Sequence, residues 1–372
     1  MPGFAVLGLC IVIAARAEHL KPVRHIEVPV PAIYGTDNSG PYGITYLSPG
    51  KLAVWFTDNT SGQLSKRERL QSTDPWRMKL NILDTTSGSI STREYPTRKV
   101  STGLQVQADG SIILLNGPLV RCLAPDFRQT GSVNLPEMVI HRNERLLDHS
   151  PGGHTVWAFE AGNLVTAVRI DAHACKLAGG IAIEPSITTI SASDNYVIAT
   201  DRAHVAISDL TGKWQSLYRA DPCCIDDAVF ASQRVILVFR QIPHPGGNND
   251  RNPQENQPKR SLLFLDPQGK LLLEEPLDRG YEPGPIVPSG DGRFVLVATP
   301  KPDFSSELLK YRLRTAKYRV TLYDLSTLKP IFVFDVSRNN ASLFALALSP
   351  DARQVAVLAD SKVAIYDIPP RP

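Results

Sequence analysis

The 372-residue sequence predicts an all-β fold made of seven copies of one four-stranded unit. The first observation behind this prediction is a repeated phrase of an apolar strand, a short polar turn and a second apolar strand. Its seven turns begin at Ser48, Ala108, Ser150, Ser193, Ser232, Ser289 and Ser349. The second observation is a third apolar strand that ends in an aspartate in six copies, at Asp84, Asp171, Asp209, Asp266, Asp324 and Asp367. A phrase repeated at this spacing is typical of repeat architectures.

The seven units follow one another along the chain with few residues between them. They occupy residues 43–97, 101–136, 145–184, 187–220, 225–276, 284–336 and 343–368. After the third strand, a turn leads into a fourth, more polar strand, as at 270–274. We expect the aspartate at the end of each third strand to cap that turn, because its side chain can accept hydrogen bonds from the turn backbone. Unit two departs from the pattern, since its third strand, 119–123, contains Cys122 and reaches an aspartate only at Asp126.

The seventh unit lacks a fourth strand, because the repeat ends at Ile368 after three strands. An extended segment at 23–30 has no first strand of its own, and we predict that it supplies the missing outer strand. Such a strand would close a ring of units and remove two exposed sheet edges. Pro29 is tolerable there, because the outermost strand of a unit has a free edge.

Four-stranded units of about 40 residues have the size of a propeller blade. On this pattern the chain resembles a seven-bladed β-propeller of the WD40/YVTN-like repeat superfamily, over residues 23–368. The resemblance is one of architecture: the Gly-His and Trp-Asp signatures of WD40 repeats are absent, and the Tyr-Asp pairs at 323–324 and 366–367 come nearest to them. It implies a single propeller domain spanning residues 18–372, with its last blade completed by the N-terminal strand.

The first 17 residues have the pattern of a secretion signal. Residues 4–15 are apolar throughout, too short to span a bilayer comfortably, and Ala15-Arg16-Ala17 fits a small-x-small cleavage site. No Lys or Arg precedes the apolar stretch, so an uncleaved anchor and a misplaced start codon stay open as alternatives. We predict a secreted or periplasmic protein with no transmembrane span in the mature chain. The net charge of +3 over the whole chain is no nucleic-acid footprint.

Three units are longer than the others, and the surplus lies between the second and third strands each time. The inserts are 62–79, 241–260 and 300–319. They hold five basic and two acidic residues, three and two, and six and two, which is a net +8 against +3 for the whole chain. Insertions gathered on one face of a repeat protein often form its binding face, and an excess of positive charge steers anionic partners. The alternative is that the inserts are solvated loops without function.

From these inserts we predict a binding and interaction scaffold with a basic, insert-bearing face. Its partner would be an anionic protein or polysaccharide. The predicted partner-contact residues are Lys66, Arg67, Arg69, Trp76, Lys310, Arg312 and Arg314. Trp76 is among them because a large aromatic side chain in a charged loop can anchor a partner.

Four cysteines follow the signal-like segment, too few for a disulfide scaffold in a chain of this length. The adjacent Cys223 and Cys224 could form a vicinal disulfide, with buried thiols or an incidental bridge as the alternative. Quinoprotein alcohol dehydrogenases, also propellers, hold such a pair against their cofactor, but they have eight blades and a repeating Trp motif that this chain lacks. Cys122 and Cys175 lie in neighbouring units and could also pair, although sequence does not establish their geometry.

No residue is predicted to be catalytic, to bind a cofactor or to hold a metal, and no cysteine pair has zinc-ligand spacing with nearby histidines. Asp148-His149-Ser150 has the composition of a triad, but a triad is defined by geometry, and His149 occupies a turn position of the repeat. The alternative to a scaffold is an enzyme at the mouth of the central channel, either a calcium-dependent, lactonase-like hydrolase or a quinoprotein-like enzyme. Asp148, Asp194 and Asp227 lie near inner strand ends at different heights, so they predict no calcium cage.

Overall fold

A computed structural model gives the fold of the chain. The structure describes residues 22–29, 42–58, 76–97, 102–107, 109–116, 119–135, 145–149, 155–160, 165–183, 189–221, 224–242, 259–277, 284–301, 316–338, 344–359 and 361–369. Within these ranges the chain forms 28 strands and no helix.

The strand bounds follow the repeat. In chain order they are β1 (Arg24–Glu27), β2 (Tyr42–Ser48), β3 (Lys51–Asp58), β4 (Trp76–Asp84), β5 (Ile90–Thr97), β6 (Thr102–Val106), β7 (Ile112–Asn116), β8 (Leu119–Leu123), β9 (Gln129–Asn134), β10 (Arg145–His149), β11 (Thr155–Glu160), β12 (Val165–Asp171), β13 (Lys176–Ile183), β14 (Thr189–Ala192), β15 (Tyr196–Thr200), β16 (His204–Asp209), β17 (Trp214–Arg219), β18 (Ile225–Ser232), β19 (Val235–Ile242), β20 (Lys259–Leu265), β21 (Leu271–Leu277), β22 (Ile286–Pro288), β23 (Phe294–Lys301), β24 (Ala316–Asp324), β25 (Lys329–Arg338), β26 (Phe344–Leu348), β27 (Gln354–Ala359) and β28 (Lys362–Asp367).

The strands pair into seven four-stranded antiparallel sheets. Sheets one to six are each built from four consecutive strands, beginning with β2–β5 and ending with β22–β25. Sheet seven has the order β1-β28-β27-β26, and Ile26 of β1 lies opposite Val363 of β28. The first strands of the sheets are neighbours in the cyclic order β2, β6, β10, β14, β18, β22, β26 and back to β2. The predicted all-β propeller architecture is therefore confirmed.

The alternation of strand direction gives the ring two distinct ends. In each sheet, the first and third strands run towards one side of the ring, and the second and fourth strands start from that side. We call this side the turn face, because the short connections lie there. The second and fourth strands end at the opposite end, which we call the insert face. Every connection between a second and a third strand belongs to the insert face, so all three predicted inserts are anchored at the same end of the ring.

The hydrophobic core lies between neighbouring sheets. Middle strands are apolar on both sides because a sheet packs against each of them, and Val295, Leu296 and Val297 of β23 are all buried. Outer strands meet solvent, so β21 alternates between exposed and half-buried residues. At the junction of sheets seven and one, Ile26 of β1 packs in one cluster with Phe56 and other core residues, so the N-terminal strand is part of the core.

In sheets one, three, four, five and six the turn after the third strand is held by the aspartate that ends this strand, as the sequence predicts, whereas Asp367 at the end of β28 accepts a hydrogen bond from the Gln354 side chain. Asp84 Oδ1 accepts hydrogen bonds from the amides of Thr86 and Ser87, at 2.9 and 2.7 Å. The same contact is made by Asp171, Asp209, Asp266 and Asp324. Hydrogen bonding to the ionised form stabilises it, so the amide of Ser87 and its neighbours lower the pKa of Asp84.

Outer strands lie against the turn of the next sheet. Arg93 of β5 stacks over the ring of Phe127 in the turn of sheet two, 4.8 Å from its centroid. A Cβ on Gly269, in the turn of sheet five, would lie 2.3 Å from the Leu217 carbonyl oxygen of β17, so only glycine fits that close approach. At the junction of sheets seven and one, the Arg24 guanidinium donates to the backbone carbonyls of the turn after β4. The ring is thus fastened along its outer rim at the turn face.

Candidate functional site

The insert face is the surface on which the sequence places the binding site. Its long connections run from β3 to β4, from β19 to β20 and from β23 to β24. Trp76 is the first residue of β4 and is paired with Thr97 of β5. The other predicted contact residues, Lys66, Arg67, Arg69, Lys310, Arg312 and Arg314, lie outside the described residues. The structure therefore brings the ends of the three inserts to one face.

The described strand ends of the insert face carry basic residues that pair with carboxylates. Arg260 Nε lies 3.2 Å from Asp226 Oδ2, and this pair is largely buried. Across β24 and β25, Arg319 Nε lies 3.6 Å from Asp335 Oδ1. Arg260 and Arg319 are both counted in the net charge of +8, so these pairs cancel part of it, and a net positive potential depends on the remaining basic residues of the inserts.

Cys224 lies on the insert face, immediately before β18, and its backbone forms hydrogen bonds with the backbone of Gln241 in β19. It takes part in a disulfide. Cys223 lies outside the described residues, so the predicted vicinal pairing stays a prediction.

A second disulfide joins two sheets at the turn face. Cys122 of β8 is bonded to Cys175 in the turn of sheet three, with Cα atoms 5.9 Å apart. Gly131, opposite Cys122 in β9, allows the approach, because a Cβ on it would lie 2.8 Å from the Cys175 Cβ. The pairing that the sequence left open between these two cysteines is present, and both residues are buried.

A cleft of about 930 Å³ opens on the turn face, where sheets six, seven and one meet. It is lined by Asp291 and Arg293 from sheet six, Asp351 and Arg353 from sheet seven, and Pro49 with its neighbours from sheet one. None of the sequence patterns above predicts this cleft. The available signal was the motif Ser-x-Asp-x-Arg, which occurs at 289–293 and again at 349–353 in the next sheet.

The motif fixes the two turns that carry the arginines. In sheet seven, the buried Ser349 Oγ donates to Asp351 Oδ1 at 2.6 Å and accepts from the amide of Gln354 at 2.9 Å. Ser289 and Asp291 make the same 2.6 Å contact in sheet six. In each turn, the side chains of the serine and the aspartate form hydrogen bonds that backbone groups would otherwise form with one another. The arginine follows directly after the residues held in this way.

The charges of the cleft are largely balanced. Arg293 lies 3.4 Å from Asp324, and Arg353 lies 4.0 Å from Asp351 and is 84% exposed. Burial opposes ionisation of Asp324, but hydrogen bonds from Ser326 and the charge of Arg293 outweigh it and lower the pKa of Asp324. With each arginine facing a carboxylate, the cleft can hold a polar group but has no strong preference for a cation or an anion.

The described part of the chain places the titratable residues considered in the sequence at separate positions. It contains no group of three or more His, Cys, Asp or Glu side chains that could hold a metal. Asp194, on the turn face, accepts from Gln233, whereas Asp227 lies in β18 towards the insert face, so these two carboxylates are not brought together. His149 is the last residue of β10. The described residues also include no helix long and apolar enough to cross a membrane.

Comparison with solved structures gives the architecture and not a family. A chain of the mitotic checkpoint complex matches with a TM-score of 0.57 and 13% identity, over 99% of this chain and 98% of that one. A chain of Kuenenia stuttgartiensis hydrazine synthase matches with a TM-score of 0.53 and 14% identity, over 89% and 96%. The C-terminal WD40 domain of Sif2 matches with a TM-score of 0.52 and 13% identity, over 95% and 99%. No family model and no curated relative matches the sequence. The chain is a β-propeller with the architecture of WD40 domains, and identities this low carry the fold alone.

Proposed function

We propose that the protein is an exported β-propeller that serves as a binding scaffold for an anionic protein or polysaccharide, engaged through its insert face. The observation that carries this proposal is the anchoring of all three long connections at one end of the ring, combined with the net charge of +8 over residues 62–79, 241–260 and 300–319, which include the strand ends beside those connections. The fold fits a binding role. One structurally similar chain comes, by its title, from the mitotic checkpoint complex.

Within this proposal, β1 completes a seventh blade. Its support is the pairing with β28, the packing of Ile26 in the core and the hydrogen bonds from Arg24 to sheet one. A closed ring gives the insert face a rigid base, and a rigid base reduces the ordering that binding requires.

Export is supported by the disulfide between Cys122 and Cys175 and by the second disulfide at Cys224. Disulfides persist in oxidising compartments and are rare in the reducing cytosol. Together with the signal-like residues 1–17, they favour a secreted or periplasmic location. The expected result is a mature chain in the exported fraction that lacks residues 1–17 and has no free thiol at Cys122 or Cys175.

The binding face is tested by charge reversal and retention on a dextran sulfate resin. The variant Lys310→Glu/Arg312→Glu/Arg314→Glu should elute at clearly lower salt than the unmodified protein, because exposed charges at the contact dominate salt-sensitive retention. The matched control, Lys51→Glu/Arg234→Glu/Arg353→Glu, changes the net charge equally but lies on the turn face. Equal losses in the two variants would mean that overall charge, and not the insert face, determines binding.

A further inference from the structure

The exposed large aliphatic side chains of the described residues share one place in the fold. They are between 36% and 58% exposed: Val23, Ile90, Leu177, Leu210, Leu271, Leu272 and Ile331. Each lies at the start of a fourth strand or in the turn just before it. Since fourth strands are outermost and begin at the turn face, these side chains stand on the outer rim of that face. We call this set the aliphatic rim.

The aliphatic rim extends around the whole ring. Six of the seven sheets contribute to it, from Val23 in sheet seven and Ile90 in sheet one to Leu177 and Leu210 in sheets three and four. These two pairs stand on opposite sides of a seven-membered ring. A peptide or a small globular partner covers one arc of such a rim, whereas a flat partner can contact all of it.

Basic residues alternate with the aliphatic ones. An exposed Lys or Arg stands at the end of the same turn in five sheets: Arg128, Lys176, Lys213, Lys270 and Lys329. Each of these five turns also holds an aspartate, so the formal charges offset one another, but the aspartate Oδ1 atoms accept backbone hydrogen bonds, as in Asp209 and Asp266. A long lysine side chain can follow an apolar surface while its ammonium group stays in water.

We propose that the aliphatic rim docks on the surface of a lipid bilayer that contains anionic lipids, with the ring axis along the membrane normal and the insert face pointing away. The aliphatic side chains would enter the boundary between headgroups and acyl chains, and the lysines would contact lipid phosphates. Because the charge of the turn face is nearly balanced, the aliphatic contacts supply most of the affinity and the lysines favour anionic headgroups. This site is independent of the proposed binding role of the insert face.

Co-sedimentation with vesicles tests the proposal on the full chain. Vesicles of phosphatidylcholine containing a quarter phosphatidylglycerol should bind the protein more strongly than phosphatidylcholine alone. Two double variants remove opposite arcs of the rim: Val23→Ser/Ile90→Ser and Leu177→Ser/Leu210→Ser. Each should weaken partitioning onto the mixed vesicles by about tenfold, since membrane affinity follows the apolar surface buried. The conservative pair Leu177→Val/Leu210→Val should bind nearly as well as the unmodified chain, and circular dichroism verifies that every variant is folded.

Three outcomes would overturn the docking of this rim. The first is an absence of binding to either vesicle. The second is a loss confined to one arc, which indicates a local patch for a smaller partner. The third is a dimer in vesicle-free solution that dissociates in both serine variants, because a second copy of the chain then covers the rim. The insert variant Lys310→Glu/Arg312→Glu/Arg314→Glu should retain vesicle binding, so failure of the scaffold proposal and failure of membrane docking are distinguishable.

Discussion

Replacing Cys122 with Ala removes the covalent link between sheets two and three and leaves both sheets otherwise intact. The two cysteines are 53 residues apart in the sequence. For a loop of that length, the chain-entropy relation gives a stabilisation of about 4 kcal/mol at 25 °C. A protein of this kind has a total free energy of unfolding of about 5–15 kcal/mol, so the variant should lose a large share of its stability.

The backbone conformation at Cys175 gives a second, independent contribution to the free energy of unfolding. Its φ of 51° is left-handed, and the corresponding turn position is a glycine in three other sheets, at Gly88, Gly212 and Gly269. A side chain in this conformation costs about 1 kcal/mol relative to glycine. Cys175→Ala and Cys175→Gly both remove the disulfide, and we expect the glycine variant to be about 1 kcal/mol more stable.

Urea unfolding followed by tryptophan fluorescence measures both differences. The variants are more informative than a reducing agent, because dithiothreitol also breaks the disulfide at Cys224. Equal slopes with urea concentration show that the midpoint shift reports stability. A loss below about 1 kcal/mol in Cys122→Ala would refute the assignment of the disulfide as a main fastening of the ring. A glycine variant less stable than the alanine variant would refute the argument from backbone strain.

Three further predictions concern two junctions between sheets and the turn of sheet six that Asp324 holds. Arg24→Ala should lower the free energy of unfolding by about 1–2 kcal/mol, because two carbonyls of sheet one lose their donor; the exposed Lys362→Ala, whose partner is Glu27 in the same sheet, should change it by less than about 0.5 kcal/mol. Tyr323→Phe should cost about 1–2 kcal/mol, because the buried Tyr323 hydroxyl donates to Glu275 of sheet five at 2.6 Å. The lowered pKa of Asp324 stabilises the fold above the unfolded-state pKa of about 3.9, and this contribution is lost as the pH falls through the folded-state pKa; Asp324→Asn should therefore make the acid limb of the stability curve shallower.

Thermal melts of the same variants can contradict each of these predictions. Equal effects of Arg24→Ala and Lys362→Ala would mean that Arg24 does not fasten sheet seven to sheet one. An unchanged melt for Tyr323→Phe would mean that its contact with Glu275 contributes nothing. An acid limb identical in Asp324→Asn and the unmodified protein would assign acid sensitivity to other carboxyl groups.

The repeat phrase determined most of the architecture, because its signals are local. An apolar strand, a polar turn and a capping aspartate act within a few residues of one another, so Asp84 and Asp209 could be assigned to turn caps without knowledge of their neighbours. The unpaired strand at the N-terminus was also visible, because the last repeat ends one strand short at Ile368. The predicted contact residues in the inserts fall outside the repeated phrase, so the phrase predicts nothing about their positions.

Contacts between different sheets could not be predicted from the sequence, because no pattern of neighbouring residues determines them. Cys122 and Cys175 were two of four candidates, and only the approach of one turn to Gly131 decides that they pair. The cleft on the turn face likewise arises where three sheets meet, although its Ser-x-Asp-x-Arg motif was in view.

By itself, the sequence determined an all-β repeat fold, the turn chemistry of each unit and the slot that receives every insert. The tertiary structure decided which residues of different sheets meet, and it gathered exposed aliphatic side chains from six sheets onto one rim. The physical reason is the separation of the interacting residues along the chain. Hydrogen bonds in a turn join residues two to four positions apart. A ring of sheets brings together residues that are tens of positions apart or, as with Arg24 and Ile365, nearly the whole chain apart.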